Sequence, residues 1–558
     1  MSATCGPEDN AGLDFRRVPS AFQPQPGSPR LTTVADDDLH GLVQEFWRQE
    51  EVVAKTVPPT TDEQEAEDHF VRTHSRDASG RFVCVCLSGC RSQTLREPSA
   101  PQPACSGIWS AGSPETISWK QLYTDFMRGM KSWSISPAQP AGAAGLADCY
   151  LPHHGVMRKG SSAKIRIVFN GSSTVLSGAS LNRHLKVDPN LLPALEDVLL
   201  RWRAHRFVLA SDIEKMYRQI LVAPEDRHLQ RILWCYEDQT APQTFELNTV
   251  TYGMTCAPFL AVRSLRQLAD DEEAHFPHGS AVLRRDVYVD DILTGAPSIE
   301  EAMDLQRQLT ERCTAGGFPL RKWSANDPRL LARIARPEHR TQRDRLSWTP
   351  QENHATLGLH WHPSGDCFSF STRFIKVSTY TKRSVLSLTA RLFDPLGWLA
   401  PTVIRAKIQF QSTRLQGLDW DTPLDEANAQ QWSRFQADLP RLEEIRVQRR
   451  VPISEADARV ELHGFADASE RAYVAVVYAR TEIRQGEIKV ALVSAKTRVA
   501  PLRTMSLPRL ELCAASLLAR LVAHLHQALG TGDAPIHLWS DSTVALGWIR
   551  GHPSRWKV

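Results

Sequence analysis

The chain has 558 residues, 42% of them hydrophobic and 23% charged, which allows three or four folded domains and excludes collagen-like, disordered and membrane-embedded classes. Lys plus Arg is 66 against 63 for Asp plus Glu, a net charge of +3, so a polyanion would be held by local patches and not by a global field. The 11 cysteines are too sparse for a disulfide scaffold and lack paired CxxC zinc spacing. With no leader-like start and no 18 consecutive apolar residues, an intracellular protein without a membrane span is expected.

Residues 1–40, rich in Pro, Ser and Asp, read as a flexible leader. Residues 41–109 read as a helical and irregular segment, with a helix from Leu42 to His69 that sets Leu42, Phe46 and Trp47 on one face. From Cys84 to Gly145 the one periodic element runs from Trp119 to Trp133, and Cys84, Cys86 and Cys90 lack the spacing and the nearby His of a metal site. From Tyr150 to Trp323 short β-type runs alternate with helical segments, an α/β or α+β signature. Arg321 to Arg345 carries eight Arg and Lys against three acids. Such a run is a solvated face unless it borders a nucleic-acid cleft, where it meets phosphates. Residues 381–448 read as mostly helical, and from Ala458 the order is strand, strand, strand, helix, strand.

Two acidic motifs in the middle of the chain belong together. In FVLASDIEKMYRQI the apolar run from Phe207 to Ala210 ends at Asp212, a carboxylate at the end of a buried strand. In RRDVYVDDILTG the residues Val287, Val289 and Ile292 flank Asp290 and Asp291, which predicts a β-hairpin with both acids at its turn, since Asp tolerates turn conformations. Adjacent carboxylates are costly to bury without a counter-cation. Carboxylates from two strands converging on Mg²⁺, with Mn²⁺ as the alternative ion, would suit nucleotidyl transfer, one ion activating a 3′-hydroxyl and the other gripping triphosphate oxygens.

These segments resemble the reverse transcriptase of BEL/Pao long-terminal-repeat retrotransposons. Tyr288-Val289-Asp290-Asp291 is similar to the YxDD box and Asp212 to the first catalytic Asp. The resemblance implies that Asp212, Asp290 and Asp291 hold the metal ions. Tyr217 matches the aromatic that discriminates against a ribose 2′-hydroxyl, and YGMTCAP (Tyr252 to Pro258) resembles the motif under the incoming base, with Tyr252 and Gly253 nucleotide-binding. YLPHHGVMR (Tyr150 to Arg158) and KIRIVFNGSS (Lys164 to Ser173) resemble the fingers, in which Lys164 and Arg166 would grip triphosphate. GGFPLRKWSAN (Gly316 to Asn326) resembles the palm motif whose lysine, here Lys322, stands near the leaving pyrophosphate, and LGLHWHP (Leu357 to Pro363) resembles the primer-gripping hairpin. The implied partners are an RNA and DNA template-primer, dNTPs and other retroelement polyprotein products, with no membrane.

TKRSVLSLTARLFDPLGWLAP (Thr381 to Pro401) and Trp420-Asp421 resemble the BEL/Pao segment that has been catalogued as a retrotransposon peptidase. The chain has neither Asp-Thr-Gly nor Asp-Ser-Gly; the nearest strings are Asp77-Ala78-Ser79-Gly80 and Asp421-Thr422-Pro423. A helical connection or thumb is therefore expected there in place of an aspartic peptidase.

The C-terminal hundred residues hold a second acidic set. In VELHGFADAS strand alternation puts Glu461, His463, Phe465 and Asp467 on one face, with Asp467 where the strand ends. LPRLELCAASLLARLVAHL sets Leu510, Ala514, Leu517, Leu521 and Leu525 at helical spacing with Glu511 near the start, and IHLWSDSTVALGWIRG is a strand ending at Asp541 before a helix. The order βββαβα with Asp467, Glu511 and Asp541 in turn resembles ribonuclease H, which implies a second metal-ligating set acting on RNA–DNA hybrid.

Three departures from the family pattern stand out. The match fades near Cys86 and returns around Tyr123 to Met130, Asn170 stands where Asp is common, and the fourth acid that the ribonuclease H resemblance implies, in an Asn-Pro-Ala-Asp type motif, is absent from the sequence. The overall expectation is an α/β and α+β multidomain right-hand reverse transcriptase. Its fingers and palm span 110–345 and its thumb or connection spans 346–450. A ribonuclease H-like domain, C-terminally truncated and of weak or absent activity, spans 451–558. An inactive relic that only binds nucleic acid is the first alternative reading, and a retroelement aspartic peptidase is the second.

Overall fold

The structure is a computed structural model that describes residues 58–86, 114–131, 135–137, 149–158, 164–174, 180–186, 188–235, 241–332, 354–356, 359–372, 379–455, 458–483 and 486–555. The leader, Cys90 and most of the Arg321 to Arg345 run lie outside these residues.

Of the helix expected from Leu42 to His69, residues 42–57 lie outside the described residues, and the first described helix covers Thr61–Thr73. Its start is set by Thr60, whose hydroxyl accepts from Glu63 N while the Glu63 carboxylate accepts from Thr60 N, a reciprocal cap placed directly after Pro58-Pro59. The helix expected from Trp119 to Trp133 spans Pro114–Lys131.

An antiparallel pair follows, β1 (His153–Arg158) with β2 (Lys164–Phe169), and then helix α1 (Leu195–Ala204). Four strands form an antiparallel sheet: β3 (Phe207–Ile213), the hairpin β4 (Val287–Tyr288) and β5 (Asp291–Ala296), and β6 (Leu320–Ala325), in the spatial order β4-β5-β3-β6. Helices α2 (Ala257–Asp271) and α3 (Pro277–Arg285) lie in the connection from β3 to β4, and α4 (Ile299–Ala315) links β5 to β6. The Ser298 hydroxyl caps α4 by accepting from Glu301 N, and Ala302, Leu305, Leu309 and Cys313 bury one stripe of it. β3 is apolar from Phe207 to Ala210 because both its faces are covered there. Leu209 and Ile213 enter one core with Ile292 and Leu309, while Val208 and Ala210 enter another with Leu293 and Trp202 of α1.

The C-terminal half begins with a helix at Lys382–Thr389, then α5 (Ala400–Leu415) and a helix at Glu426–Asp438. A second sheet carries β7 (Arg459–Ala468), β8 (Ala472–Ile483), β9 (Glu487–Val499) and β10 (Ile536–Ser540) in the order β9-β8-β7-β10, with β10 parallel to β7. Helix α6 (Leu507–Leu529) precedes β10 and α7 (Thr543–Arg550) follows it. By length and apolarity α6 alone among the described helices could cross a membrane. Its stripe is instead buried, with Ala514, Leu517, Leu521 and Leu525 in one core with Leu462 of β7 and Val477 of β8.

The segment DPLGW explains its own residues. Both Asp394 carboxylate oxygens accept from the backbone, from Trp398 N at 2.8 Å and Leu399 N at 2.6 Å, and so cap the entry to α5. Gly397 has φ +75°, and a Cβ there would lie 1.8 Å from the Ala495 carbonyl of β9. The neighbouring Leu396 carbonyl accepts from Ala495 N at 2.9 Å, so the helical segment is clasped to the second sheet.

α1 fastens the two sheets to each other. The buried Arg203 guanidinium donates to the carbonyls of Arg449 (3.0 Å), Val493 (2.7 Å) and Leu492 (2.8 Å). Lys496 of β9 pairs with Glu196 at 2.9 Å, and His524 of α6 with Asp197 at 2.8 Å. β7, β8, β9 and α6 therefore share one apolar core with α1 and with the helices between Lys382 and Asp438.

Candidate functional site

The first acidic set lies where β3, the β4–β5 hairpin and β6 end together. Asp212 and Asp291 are direct partners across the β3–β5 ladder, and period-two alternation puts both on the face that carries Val208, Ala210 and Leu293. Asp290 sits in the hairpin loop, its carbonyl accepting from Ile213 N at 2.8 Å. The turn differs from expectation. Val287 pairs with Ile292 and Tyr288 with Asp291, so the loop is Val289-Asp290 and Asp291 belongs to the strand. The left-handed backbone falls on Val289, at φ +57°. A two-residue hairpin needs a positive φ at its first loop position, which a β-branched residue meets only under strain of about 1–3 kcal/mol.

The counter-cation that adjacent acids require is a side chain of β6. Lys322 Nζ lies 2.8 Å from Asp212 Oδ2, and Lys322 itself has φ +54°, at a break in register between Arg321 and Ser324. Burial, and next the Asp212 charge, raise the Asp290 carboxyl. Burial followed by Asp290 and Asp212 pushes Asp291 up to about 7, with Lys322 opposing. Three carboxylates thus repel one another around one ammonium group, which is the electrostatic signature of a cation-binding site.

The predicted nucleotide-binding residues border these acids. Arg166 of β2 stacks its guanidinium 5.2 Å from the centre of the Tyr252 ring, and its charge reaches both Asp290 and Tyr217. Tyr217 lies on a 3₁₀ turn, Met216–Gln219, its phenol pushed up by burial and then by Asp290. Gly253 has φ +100°, and a Cβ there would lie 2.1 Å from the Phe169 carbonyl, so the Tyr252-Gly253 turn can press against the end of β2 only with glycine. Lys164 pairs with Arg158 at the far end of β2; its side chain lies outside the described residues. Two supports escaped the sequence reading: Arg218 donates to the Tyr252 hydroxyl at 3.1 Å, and the Asn182 amide donates to the Gly253 carbonyl at 3.0 Å. Neither belongs to a local pattern.

The second acidic set is tighter. Asp467 at the end of β7, Glu511 in the second turn of α6 and Asp541 just after β10 each offer one oxygen, all within 4.8 Å of one another. Glu511 is buried, its Oε2 has no hydrogen-bond partner, and burial followed by Asp467 and Asp541 raises its carboxyl. Hard oxygens with one buried, unpaired member fit Mg²⁺ or Mn²⁺. A second group at this spacing, Glu461, His463 and His537, also occurs among the described residues, whereas Asp212, Asp290 and Asp291 do not form a third.

Asp421 is held by both nitrogens of Arg383, at 2.7 and 2.9 Å, and the Asp77 carboxylate accepts from Ser79 and Arg81 within its own turn. Both act as structural acids.

Residues 381–542 match the family model described as Pao retrotransposon-like RNaseH-like domain. This supports a Pao-type retrotransposon polyprotein fragment. The matched range opens on the helix at Lys382–Thr389, passes through the DPLGW clasp and ends one residue past Asp541, so the helical segment and the second sheet fall in one matched unit. No curated protein matches the chain. The match to an RNaseH-like domain points to a nucleic-acid-processing enzyme family for that segment, and such domains generally use divalent metals.

Proposed function

We propose that the chain is an RNA-directed DNA polymerase of a Pao-type retroelement, with fingers and palm around β1 to β6. The observation that carries this reading is the pairing of Asp212 with Asp291 across the ladder, with Asp290 at the adjoining hairpin tip. Asp212, Asp290 and Asp291 are of the right class to hold Mg²⁺, which when bound would neutralise charge on a reacting triphosphate. Until then Lys322 balances the acids; released from Asp212, its ammonium is free to meet phosphate oxygens. Arg166 supplies a second cation beside Tyr217 and Tyr252, whose rings would bound the sugar and base. The test is extension of a primed RNA template with Mg²⁺ and dNTPs. Asp290→Asn should abolish extension; equal extension by this variant sinks the metal assignment, and salt-sensitive template binding without extension by the parent favours the inactive relic.

A second reading concerns the Asp467, Glu511 and Asp541 set, whose ligand oxygens lie within 4.8 Å of one another and include an unpaired buried oxygen. These residues would hold Mg²⁺ for hydrolysis of RNA in a hybrid. Mg²⁺-dependent cleavage of a labelled hybrid that Asp541→Asn removes would support it.

A further inference from the structure

We propose that Glu461, His463 and His537 bind a divalent transition metal of the Zn²⁺ class, at a site distinct from both acidic sets. The topology builds it in two steps. Alternation along β7 puts Glu461 and His463 on the same face, and the parallel pairing of β10 then brings His537 into direct register with His463. The two imidazoles stack with centroids 4.8 Å apart and planes 26° apart. His463 Nε2 lies 3.2 Å from Glu461 Oε2, and one ligand atom from each of the three residues falls within 4.8 Å of the others.

Zinc at 2.0–2.1 Å from tetrahedral ligands sets those ligands about 3.3 Å apart. Closing from at most 4.8 Å requires a shift of no more than about 1.5 Å. The exposed His537 ring can supply that by rotating, since no backbone need move.

The donor set decides the ion. Two neutral imidazoles and one carboxylate leave a fourth position open, the arrangement that suits Zn²⁺ and Co²⁺, whereas Mg²⁺ prefers the all-oxygen set at Asp467. Arg480 and Arg459 lie 3.3 and 3.5 Å from Glu461 and orient its carboxylate. Their charge also works against weakly held hard cations. The site lies four residues from Asp467 along β7, about 13 Å at about 3.3 Å per residue, so one ion cannot serve both. A metal here would staple edge strand β10 to β7, and β10 leads directly to Asp541.

The test uses the full chain carrying Asp467→Asn, Glu511→Gln and Asp541→Asn, stripped with EDTA and titrated with ZnCl₂ by calorimetry and with CoCl₂ by visible absorption. The expected result is one equivalent of Zn²⁺ that millimolar MgCl₂ does not displace, visible Co²⁺ bands, and a thermal midpoint that rises with Zn²⁺. His537→Ala, at an exposed position, should weaken Zn²⁺ binding at least tenfold and abolish the thermal rise. His537→Cys should restore binding and add a thiolate-to-cobalt absorption. Absence of Zn²⁺ binding, or equal affinity in His537→Ala with folding confirmed by circular dichroism, overturns the proposal.

Discussion

Asp291→Asn should make the hairpin more stable at neutral pH while removing one of the acids proposed to hold the metal. In the folded chain, burial and the neighbouring Asp290 and Asp212 hold the Asp291 carboxyl at about 7, against an ordinary value of 3.8. The folded state therefore binds this proton more tightly than the unfolded state. The resulting stabilisation is complete below pH 3.8 and is lost as pH rises through about 7. About three pKa units at about 1.36 kcal/mol each give about 4 kcal/mol, and partial exposure of the carboxyl to water brings the usable figure to about 1–2 kcal/mol. Hydrogen exchange of the 287–296 amides in EDTA, corrected for intrinsic rates, reads this locally. At pH 8 the Asn variant should exchange about 5- to 30-fold more slowly than the parent, the gap should shrink at pH 5, and Mg²⁺ should protect the parent alone. Equal protection of the two proteins at pH 8 would refute the argument that these acids repel one another across the ladder.

Three further outcomes test the architecture. Lys496→Met leaves the buried Glu196 carboxylate with the Ser494 hydroxyl but without its cation and should cost about 3 kcal/mol, with most of that recovered in the Glu196→Leu, Lys496→Met double variant; denaturant midpoints of the three proteins check it. Gly397→Ala must move the Ala495 carbonyl or leave φ +75°, and should lower the stability of the second sheet by more than about 2 kcal/mol, seen as lost exchange protection along β9. The hydrogen bond to Asp197 raises the His524 pKa against the effect of burial. Its stabilisation is therefore full below about pH 6.5 and fades as pH rises through the raised value, so α6 amides should lose protection as pH rises above about 6.5 in the parent but not in His524→Gln.

Much of this was legible in the sequence because it is written locally. The run from Phe207 to Asp212, the paired valines around Asp290 and the helical spacing of Leu510 to Leu525 each follow from the period of one element. So did the placement of Asp467, Glu511 and Asp541 at element ends, which the second sheet brings within 4.8 Å. What escaped depends on register and tertiary contact. The hairpin loop fell one residue earlier than Asp tolerance suggested, because pairing Tyr288 with Asp291 leaves Val289 to take the left-handed position. The Lys322–Asp212 pair depends on a register break in β6, and the meeting of His463 with His537 depends on a parallel pairing between strands about seventy residues apart in sequence.

The two acidic sets are held in fixed relation, and the reason lies in the partners α1 chooses. Arg203 spends its donors on three backbone carbonyls, so changes in the facing side chains of β9 leave the grip intact. Sliding α1 along β9 would unmake those bonds and the Glu196–Lys496 pair together. Each is buried, so each loss leaves a desolvated group without a partner, and intermediate positions along the slide have no compensating contacts. The same helix covers the back of β3, whose far end carries Asp212. The position of Asp212 relative to the second sheet is thus set by backbone on one side and a close-packed core on the other. A nucleic acid engaging both sites at once must therefore supply the spacing itself, by the length of duplex between them, because the protein cannot adjust it cheaply.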